Sequence, residues 1–398
     1  MTYLLDGDKS HCCGCGACVN VCKHAAISMK PDIEGFLYPQ KNEECINCSL
    51  CEKSCPYTTN DSFSEELREK GLPKVFAAYS EKERSKSSSG GLFYVIAKRI
   101  ILNGGIVFGA AFDKELILNH EAAKCLEELD KLRGSKYVQS NIGNTYREVL
   151  EYLKAGIQVF FVGTPCQVAG LKSFLRKDYP NLLTADVVCH GVPSQWLFKQ
   201  HKEYLEKKNH AKLINYEFRD NSAWGGCEKA TFSEPSKKVV NPTYELSPYL
   251  FSFMYGFTFR YSCYECPFAS VPRQGDLTLG DYWGVKRVFP DINSKEGVSV
   301  ILVNNQKGDI ILNAIKDELI LQESCLEDAS RENGNLINHS IKPAIRDEVY
   351  SMIRERGYED LVKNEFRSPK YKSIKKSLFK NKYLISPLSK VYHFIFSK

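Results

Sequence analysis

Apolar and polar positions alternate along this 398-residue chain in two ways, one with the spacing of a helix and one with that of a buried strand. Apolar residues recur at helical spacing from Leu92 to Ile101, and the Asn-Gly-Gly at 103–105 ends the pattern. Ser88 or Ser89 is the expected N-cap of this helix. Further helices are predicted at 144–155, 167–176, 195–207 and 307–316, and strands at 105–111, 157–162, 183–188, 214–218, 276–279 and 298–303. The alternation predicts an α+β fold in which a mixed α/β sheet is flanked by helices.

Length and local composition divide the chain into several units. A chain of this length exceeds one ordinary core, and the polar stretch after Pro56 lacks apolar periodicity, as a linker does. We predict a small domain at 1–60, a linker at 61–74, a larger domain at 75–330 and a C-terminal extension at 331–398. The first residues do not have the pattern of a signal peptide, and no apolar run is long enough to span a bilayer. The expected location is the cytoplasm.

Positive charge is concentrated at the C-terminal end. The formal net charge is +6, but residues 363–398 hold ten Lys or Arg against the single acid Glu365. The body of the chain is close to neutral and carries no nucleic-acid-binding motif, so we predict no nucleic-acid partner. Three interpretations of the basic tail stay open. The tail could be a helical extension packed on its own domain. Alternatively, it could anchor the chain to the inner face of the membrane through lysines and aromatic residues, or it could bind an acidic protein.

Two tandem cysteine runs provide the strongest chemical signal. Both have the spacing CxxCxxCxxxC, in which one loop supplies three thiolates to a 4Fe-4S cluster and the fourth cysteine serves the other cluster. The predicted ligands of the first cluster are Cys12, Cys15, Cys18 and Cys55, and those of the second are Cys45, Cys48, Cys51 and Cys22. Zinc is the alternative, although zinc sites usually use two CxxC pairs separated by a longer loop. The segment is predicted to be a two-cluster ferredoxin domain that transfers electrons.

Two residues depart from this ferredoxin pattern. Lys23 stands where the first run would normally carry proline, and Cys13 is a thiol with no place in the spacing. Either residue could change the reduction potential of the first cluster, because charge and hydrogen bonding around the sulfurs set that potential. Gly14 and Gly16 allow backbone N–H groups to approach the sulfurs closely.

Four later cysteines lie in settings that suit a metal ligand. Cys166 follows a predicted strand and opens a helix, and Cys189 ends the next strand. Since the carboxyl ends of parallel strands meet at one edge of a sheet, these two could lie together. With the pair Cys263 and Cys266 they could ligate a third cluster; the alternative is packed thiols and a redox-active or idle CxxC pair. His190 is either a hydrogen-bonded structural histidine or a proton shuttle, and no catalytic residue is assigned.

Three further motifs have the composition of a ligand site. The serines and glycines at 87–91 precede a helix, where free N–H groups attract anions, but the same run also suits a helix cap. Lys136 could pair with a phosphate or an anionic flavin, or it could simply be solvated. The turn at Asp281 places an acid beside Tyr282 and Trp283, which suits a flat aromatic ligand or a buried aromatic cluster.

Six strings occur in the order KSSSGG, GSKYVQS, GTPCQVAGL, VCHGVPS, FRYSCYECPF and GDLTLGDYWG. Together they resemble the coenzyme F420 hydrogenase/dehydrogenase beta-subunit family, from about residue 75 to residue 325. The resemblance implies FAD as a cofactor, and it implies a third 4Fe-4S cluster held by Cys166, Cys189, Cys263 and Cys266. It also implies that the FAD contacts include Ser88, Ser89, Gly90, Gly91 and Lys136, to which the turn adds Asp281.

The activity implied by this resemblance is that of an iron–sulfur flavoprotein oxidoreductase. Electrons would pass between the 4Fe-4S clusters, FAD and a hydride carrier or small substrate, either F420-like or a metabolite of polysaccharide synthesis. The expected partners are a ferredoxin or a deazaflavin or nicotinamide carrier, although no GxGxxG supports a Rossmann site. The main alternative is a non-catalytic electron-transfer subunit of a larger, oligomeric redox complex. A third is a reductase in which Cys263 and Cys266 form a redox disulfide.

Overall fold

The computed structural model describes residues 2–58, 73–220, 225, 228–234, 238–369, 371 and 373. It confirms the α+β fold, with a central mixed sheet and flanking helices. The strands are β1 Ile27–Pro31, β2 Leu37–Lys41, β3 Lys74–Tyr79, β4 Ile106–Phe112, β5 Leu118–Ala123, β6 Val159–Gly163, β7 Leu182–Val187, β8 Leu213–Glu217, β9 Glu228–Phe232, β10 Lys238–Asn241, β11 Leu277–Asp281, β12 Ser299–Val303 and β13 Ile320–Ser324. The α-helices are α1 Tyr3–Asp6, α2 Ala17–Val21, α3 Leu50–Lys53, α4 Leu92–Leu102, α5 Leu126–Leu129, α6 Thr145–Lys154, α7 Pro165–Leu175, α8 Gln195–Asn209, α9 Pro248–Met254, α10 Val285–Val288, α11 Gln306–Ile315, α12 Leu326–Ser330, α13 Val349–Arg356 and α14 Tyr358–Asn364.

An eight-stranded sheet forms the centre of the larger domain, with the strand order β13-β3-β12-β11-β7-β6-β4-β5. The four strands β4, β6, β7 and β11 run parallel, and the remaining neighbours pair antiparallel. In the register of the parallel part, Phe160 pairs with Val107 on one side and with Leu183 on the other. The parallel strands therefore end at one edge of the sheet, and the loops that follow them converge there.

Helices cover both faces of this sheet, which explains why its central strands have continuous hydrophobic sequences. On one face α4 and α11 pack over residues that include Phe160 and Leu183. On the other face α6 and α7 pack over residues that include Phe108 and Phe161. Consecutive residues of β6 thus enter different apolar layers, as expected for a strand buried on both sides.

The two edge strands were not predicted by the hydrophobic pattern. β5 has the sequence LNHEAA and β13 the sequence ILQES, and both mix polar residues into the strand. Each has only one neighbour in the sheet order and is partly exposed along its length. Edge strands need less hydrophobic sequence because one side is solvated, so periodicity alone detects them poorly.

The cysteine-rich segment packs directly on the larger domain. It contains the β1–β2 hairpin and the short helices α2 and α3, and α2 contacts α7. Cys13 and Cys15 belong to the same apolar cluster as Phe161 and Val168. Gly170 of α7 permits this approach, since a Cβ at that position would lie 2.8 Å from the Cβ of Cys15.

A second, three-stranded antiparallel sheet has the order β10-β9-β8 and packs with α13 and α14 of the C-terminal extension. Tyr216 and Phe232 of this sheet share an apolar cluster with Val349 and Leu361 of the helices. Most of the predicted linker, through residue 72, and the tail beyond residue 373 lie outside the described residues. Among the described helices, none combines the length and apolar character needed to cross a membrane.

Candidate functional site

The predicted ligands of the first cluster lie together. A single small cavity is lined by Cys12, Cys15, Cys18 and Cys55, with Cys51 also in its wall. Cys18 interacts electrostatically with Cys12 and Cys55, so the last cysteine of the second run reaches the first run, as crossed pairing requires. Burial raises the pKa of Cys18 well above its ordinary value and that of Cys55 to about 11. Such thiols ionise only beside positive charge, which iron would supply.

The second predicted set lies closer to the surface. Cys51 is buried, Cys22 and Cys45 are half-buried, and Cys48 is exposed. This set is therefore the outer of the two and the one more open to an external electron partner. In the described part of the chain, no three Cys, His, Asp or Glu side chains have the arrangement of a site for a single metal ion.

Four cysteines that are far apart in sequence line a second small cavity: Cys166, Cys189, Cys263 and Cys266. β6 and β7 are parallel neighbours, so the loops after them bring Cys166 and Cys189 to one edge of the sheet. Cys263 lies in the turn Tyr261–Glu265 and Cys266 directly follows that turn; every described cysteine is a free thiol. Burial, together with neighbouring thiols, raises the pKa of Cys189 and of Cys266 to about 12. A donor set of four half-buried thiols around one cavity fits an iron–sulfur cluster.

The local sequence holds Cys166 in the first turn of α7. Thr164 and Gln167 form a capping box, and Pro165 occupies the start of the helix. The Thr164 Oγ1 lies 3.1 Å from the Cys166 Sγ, close enough for a hydrogen bond. This hydroxyl favours the thiolate, but the Cys13 thiol and burial outweigh it and raise the pKa of Cys166 well above its ordinary value.

Cys13 lies between the two cysteine cavities. It lines both of them, and only 7% of the residue is exposed. Its thiol interacts with the thiols of Cys15 and Cys166, which belong to different predicted ligand sets and which shift its pKa. Its carbonyl accepts a hydrogen bond from the Gln139 Nε2 at 2.8 Å. The thiol that has no place in the ferredoxin spacing therefore marks the contact between the N-terminal segment and the sheet edge.

A larger cavity of about 310 Å³ opens at the same edge of the sheet. This volume lies within the range of small-molecule sites. Of the predicted cofactor contacts, those that line the cavity are Ser88, Ser89, Gly91, Lys136 and Asp281. Gly90 lies beneath the loop instead, where its N–H donates to the Ser299 Oγ at 2.9 Å. A Cβ on Gly90 would lie 2.4 Å from the Ala78 carbonyl oxygen, so only glycine allows the loop to approach β3 this closely.

The predicted serine N-cap of α4 is wrong. The helix begins at Leu92, and Gly91 is its N-cap with a φ of 85° and no side-chain cap. The Ser88 Oγ instead accepts the backbone N–H of Ser135 at 2.8 Å. Because glycine takes the cap position in a left-handed conformation, the serine is displaced from the helix end and links two loops of the cavity wall.

Lys136 is held by backbone rather than by an acid. Its Nζ donates to the carbonyl groups of Leu132, Arg133 and Gly134, at 3.2, 2.8 and 3.1 Å. No carboxylate of the described chain forms an ion pair with it. Burial lowers the pKa of Lys136 to about 7. An ammonium group in a cavity wall without a counter-charge fits an anionic ligand such as a phosphate.

Asp281 lines the cavity, but its carboxylate pairs with an arginine that was not predicted. The Arg219 Nη1 lies 2.8 Å from the Asp281 Oδ2. The same guanidinium donates to the Ser88 carbonyl at 2.9 Å and to the Tyr137 hydroxyl at 3.2 Å. Arg219 thus joins three loops around the cavity. The only sequence signal for it was its position directly after the strand predicted at 214–218.

The large cavity and the cavity of the four cysteines share a wall. Both are lined by Thr164, Cys166, Cys189, His190, Gly191 and Val192. His190 stands in this wall, and burial lowers the pKa of its imidazole. A ligand in the large cavity would therefore lie next to Cys166 and Cys189.

Comparison with known proteins gives two family matches. Residues 157–329 match the C terminus of the coenzyme F420 hydrogenase/dehydrogenase beta subunit, and residues 11–59 match the 4Fe-4S dicluster domain. The chain therefore contains a C-terminal domain of the beta-subunit type together with a 4Fe-4S dicluster domain. The dicluster domain makes it an iron–sulfur redox protein, and residues 157–329 relate it to the F420 hydrogenase and dehydrogenase beta subunits.

Two curated relatives and one solved structure illustrate the similarity. One of the subunits of the F420H2 dehydrogenase of Methanosarcina mazei is 21% identical over 334 residues, which cover 78% of this chain and 84% of that protein. Coenzyme F420-dependent sulfite reductase of Methanocaldococcus jannaschii is 28% identical over 179 residues, which cover 43% of this chain and 26% of that protein. A chain of the F420-reducing NiFe hydrogenase complex from Methanosarcina barkeri aligns with 72% of this chain and 89% of its own length, at a TM-score of 0.44 and 17% identity.

Proposed function

We propose that this chain is an FAD-dependent iron–sulfur oxidoreductase that passes electrons between its 4Fe-4S clusters, FAD and a hydride carrier or small substrate. The observation that carries the proposal is the wall shared by the large cavity and the four-cysteine cavity. Groups that exchange electrons must lie close together, and a ligand beside Cys166 and Cys189 meets that need.

The lining of the large cavity supports FAD as its ligand. Lys136 presents an ammonium group without a carboxylate partner, and the loop at Ser88 and Ser89 forms the same wall. These groups suit the phosphates of a dinucleotide, while Tyr137 and Trp283 offer aromatic faces. FAD, when bound, would convert between one-electron transfer with clusters and two-electron transfer with a substrate. The chain itself binds and orients the cofactor and separates it from solvent.

The thiols support three clusters in one chain. Cys48 is exposed, the set that contains Cys12 is more deeply buried, and the set that contains Cys166 adjoins the large cavity. Exposure suits contact with an external redox partner such as a ferredoxin, and burial suits transfer inside the protein. The four thiols from Cys166 to Cys266 are proposed as the ligands of the third cluster on their common cavity.

The names of the relatives support F420 as the carrier. The Methanosarcina mazei relative is named for F420H2, and the Methanocaldococcus jannaschii relative is named as coenzyme F420-dependent. A nicotinamide carrier or a metabolite of polysaccharide synthesis would satisfy the same electron chemistry. Membrane contact through the basic tail stays a prediction, since residues from 374 onwards lie outside the described part of the chain.

A second candidate function is a non-catalytic electron-transfer subunit. It is favoured by the Methanosarcina mazei relative, which covers most of this chain and is named as one subunit of a dehydrogenase. In that case the sheet edge would hold clusters but the isolated chain would turn over no substrate.

The test is the composition and activity of the isolated chain. After anaerobic purification, FAD released by denaturation and iron are measured per chain, followed by reduction of the chain with F420H2. We expect FAD near one per chain and iron near the ~12 atoms of three 4Fe-4S clusters. Iron without FAD, and no oxidation of F420H2, would replace the proposal with the electron-transfer subunit.

A further inference from the structure

Among the residues that the structure describes, five arginines are buried: Arg84, Arg219, Arg260, Arg273 and Arg346. Four of them form ion pairs with carboxylates, namely Arg84 with Glu296, Arg219 with Asp281, Arg273 with Asp186 and Arg346 with Glu34. Arg260 is 0% exposed and has no carboxylate partner among the described residues. A buried cation without a counter-charge is costly, so the missing partner requires an explanation.

The neighbours of Arg260 point to the first cysteine set. Its Nε donates to the Cys12 carbonyl at 2.6 Å, and its Nη2 lies 3.5 Å from the Cys12 Sγ. Its other hydrogen bonds go to the Leu37 carbonyl at 2.9 Å and to the Gln139 Oε1 at 3.2 Å. The ring of Tyr38 lies 4.0 Å from the guanidinium carbon. All these partners are neutral groups. Only the Cys12 thiol becomes anionic, because it loses its proton when it binds iron.

We propose that Arg260 is the counter-cation of the first N-terminal cluster and that it raises the reduction potential of that cluster. The inference deepens the proposed function and rests on Cys12 being a cluster ligand. Reduction adds negative charge to a site already held by four thiolates, and a fixed cation next to Cys12 stabilises the reduced form. The guanidinium stays charged at every accessible pH, so its effect on the potential does not titrate.

The position of Arg260 also links two sites. It lies three residues before Cys263, on the segment that supplies the CxxC pair of the third set. The Gln139 amide joins the same contact, because it accepts from Arg260 and donates to the Cys13 carbonyl. The segment that carries Cys263 and Cys266 of the third set therefore also supplies the guanidinium charge beside Cys12 of the first set. The sheet-bound part of the chain thereby influences the electron affinity of the ferredoxin segment.

The test compares the midpoint potentials of Arg260→Gln, Arg260→Lys and the unmutated chain by redox titration followed by electron paramagnetic resonance. Arg260→Gln should lower the midpoint of the first cluster, seen as a smaller reduced fraction at the potential where the unmutated cluster is half reduced. Arg260→Lys keeps the charge and should restore most of that fraction. The midpoint of the outer cluster, with Cys48, should stay unchanged in both variants. Arg346→Gln is the matched control, since it removes a buried arginine whose partner is Glu34.

Iron per chain distinguishes the remaining outcomes. If Arg260→Gln lacks the first cluster but Arg260→Lys retains it, the charge requirement is supported. If both variants lose it, or if Arg260→Gln keeps both the cluster and its midpoint, the proposal is wrong and Arg260 serves only its backbone contacts. Neither titration nor iron content requires FAD or substrate, so a failure here differs from a failure of the oxidoreductase proposal. That proposal fails on flavin content and turnover of the unmutated chain.

Discussion

In the first cysteine cavity, three of the four predicted cluster ligands come from the short segment 12–18, whereas in the four-cysteine cavity the predicted ligands come from residues 166 to 266. Both cavities are small, and both have buried thiols whose pKa is raised. The first is formed mainly by a loop, and the second by neighbouring parallel strands and a distant turn. The first site therefore depends on the geometry of one loop, while the distant set depends on the whole sheet.

The largest effect is expected from Cys166→Ala, which removes one thiol of the distant set. Loss of one of three clusters should reduce iron by about one third, and substrate turnover should fall to background. The signals of the two N-terminal clusters should remain. Cys325→Ala is the control, because that thiol is exposed and lines neither cavity. Full iron content and activity in Cys166→Ala would show that Cys166 is not a ligand.

Asp186→Asn tests whether the distant set depends on the sheet. The Asp186 carboxylate pairs with Arg273 at 3.0 Å and accepts the N–H groups of Gln274 and Gly275 at the start of β11. Both members of the ion pair are fully buried, and an unpaired buried charge typically costs about 3 to 5 kcal/mol of stability. We expect a lower urea midpoint and earlier loss of the third-cluster signal than of the N-terminal signals.

The matched control for this variant is Asp309→Asn, which breaks an exposed pair with Lys74. Such surface pairs contribute on the order of 0 to 1 kcal/mol, so its urea midpoint should barely change. If all cluster signals of Asp186→Asn were lost at the same urea concentration, the third set and the N-terminal sets would unfold together and the distant set would not depend separately on the sheet.

Lys136→Met should weaken FAD binding about tenfold, or ~1.4 kcal/mol, because it removes a charge-assisted contact to phosphate. The pKa of Lys136 is about 7, and a bound phosphate would raise it. Below pH 7 the free protein already carries the charge, whereas above pH 7 binding must take up a proton. FAD affinity should therefore fall as the pH rises above about 7, and this slope should be absent in Lys136→Met. Titration of the apoprotein with FAD from pH 6 to 9 measures both effects, and identical profiles would exclude a phosphate contact.

The smallest effect is expected from Ser88→Ala. It deletes the hydrogen bond from the Ser135 N–H to the Ser88 hydroxyl, which links two loops of the large cavity. Such a bond contributes ~1 kcal/mol, so FAD affinity should fall only a few-fold. Ser88→Thr keeps the hydroxyl and should restore the affinity, while iron content should be unchanged in both variants. A loss of iron would mean that the loop supports the cysteines as well.

Sequence reasoning found most of the buried strands and helices of the large sheet, but it missed the inner strand β3 as well as both edge strands. β6 and α8 lie close to their predicted ranges because burial leaves a strong apolar period. The hydrophobic pattern did not predict the edge strands β5 and β13, because a strand with one neighbour needs little hydrophobic sequence. The serine N-cap failed for a local reason, since Gly91 takes the cap in a left-handed conformation that the composition of the run did not distinguish.

For the site, the sequence by itself determined the two ferredoxin ligand patterns, because three thiols of a cluster come from one tight loop and their spacing is written in consecutive residues. It also determined which motifs carry the family resemblance. Only the tertiary structure decided that Cys13 lies between two thiol sets, that Asp281 pairs with Arg219 and that Arg260 approaches Cys12 without an acid. Those contacts join residues up to 248 positions apart. Strand order and packing determine such distances, and the pattern of residues in a short stretch of sequence cannot predict them.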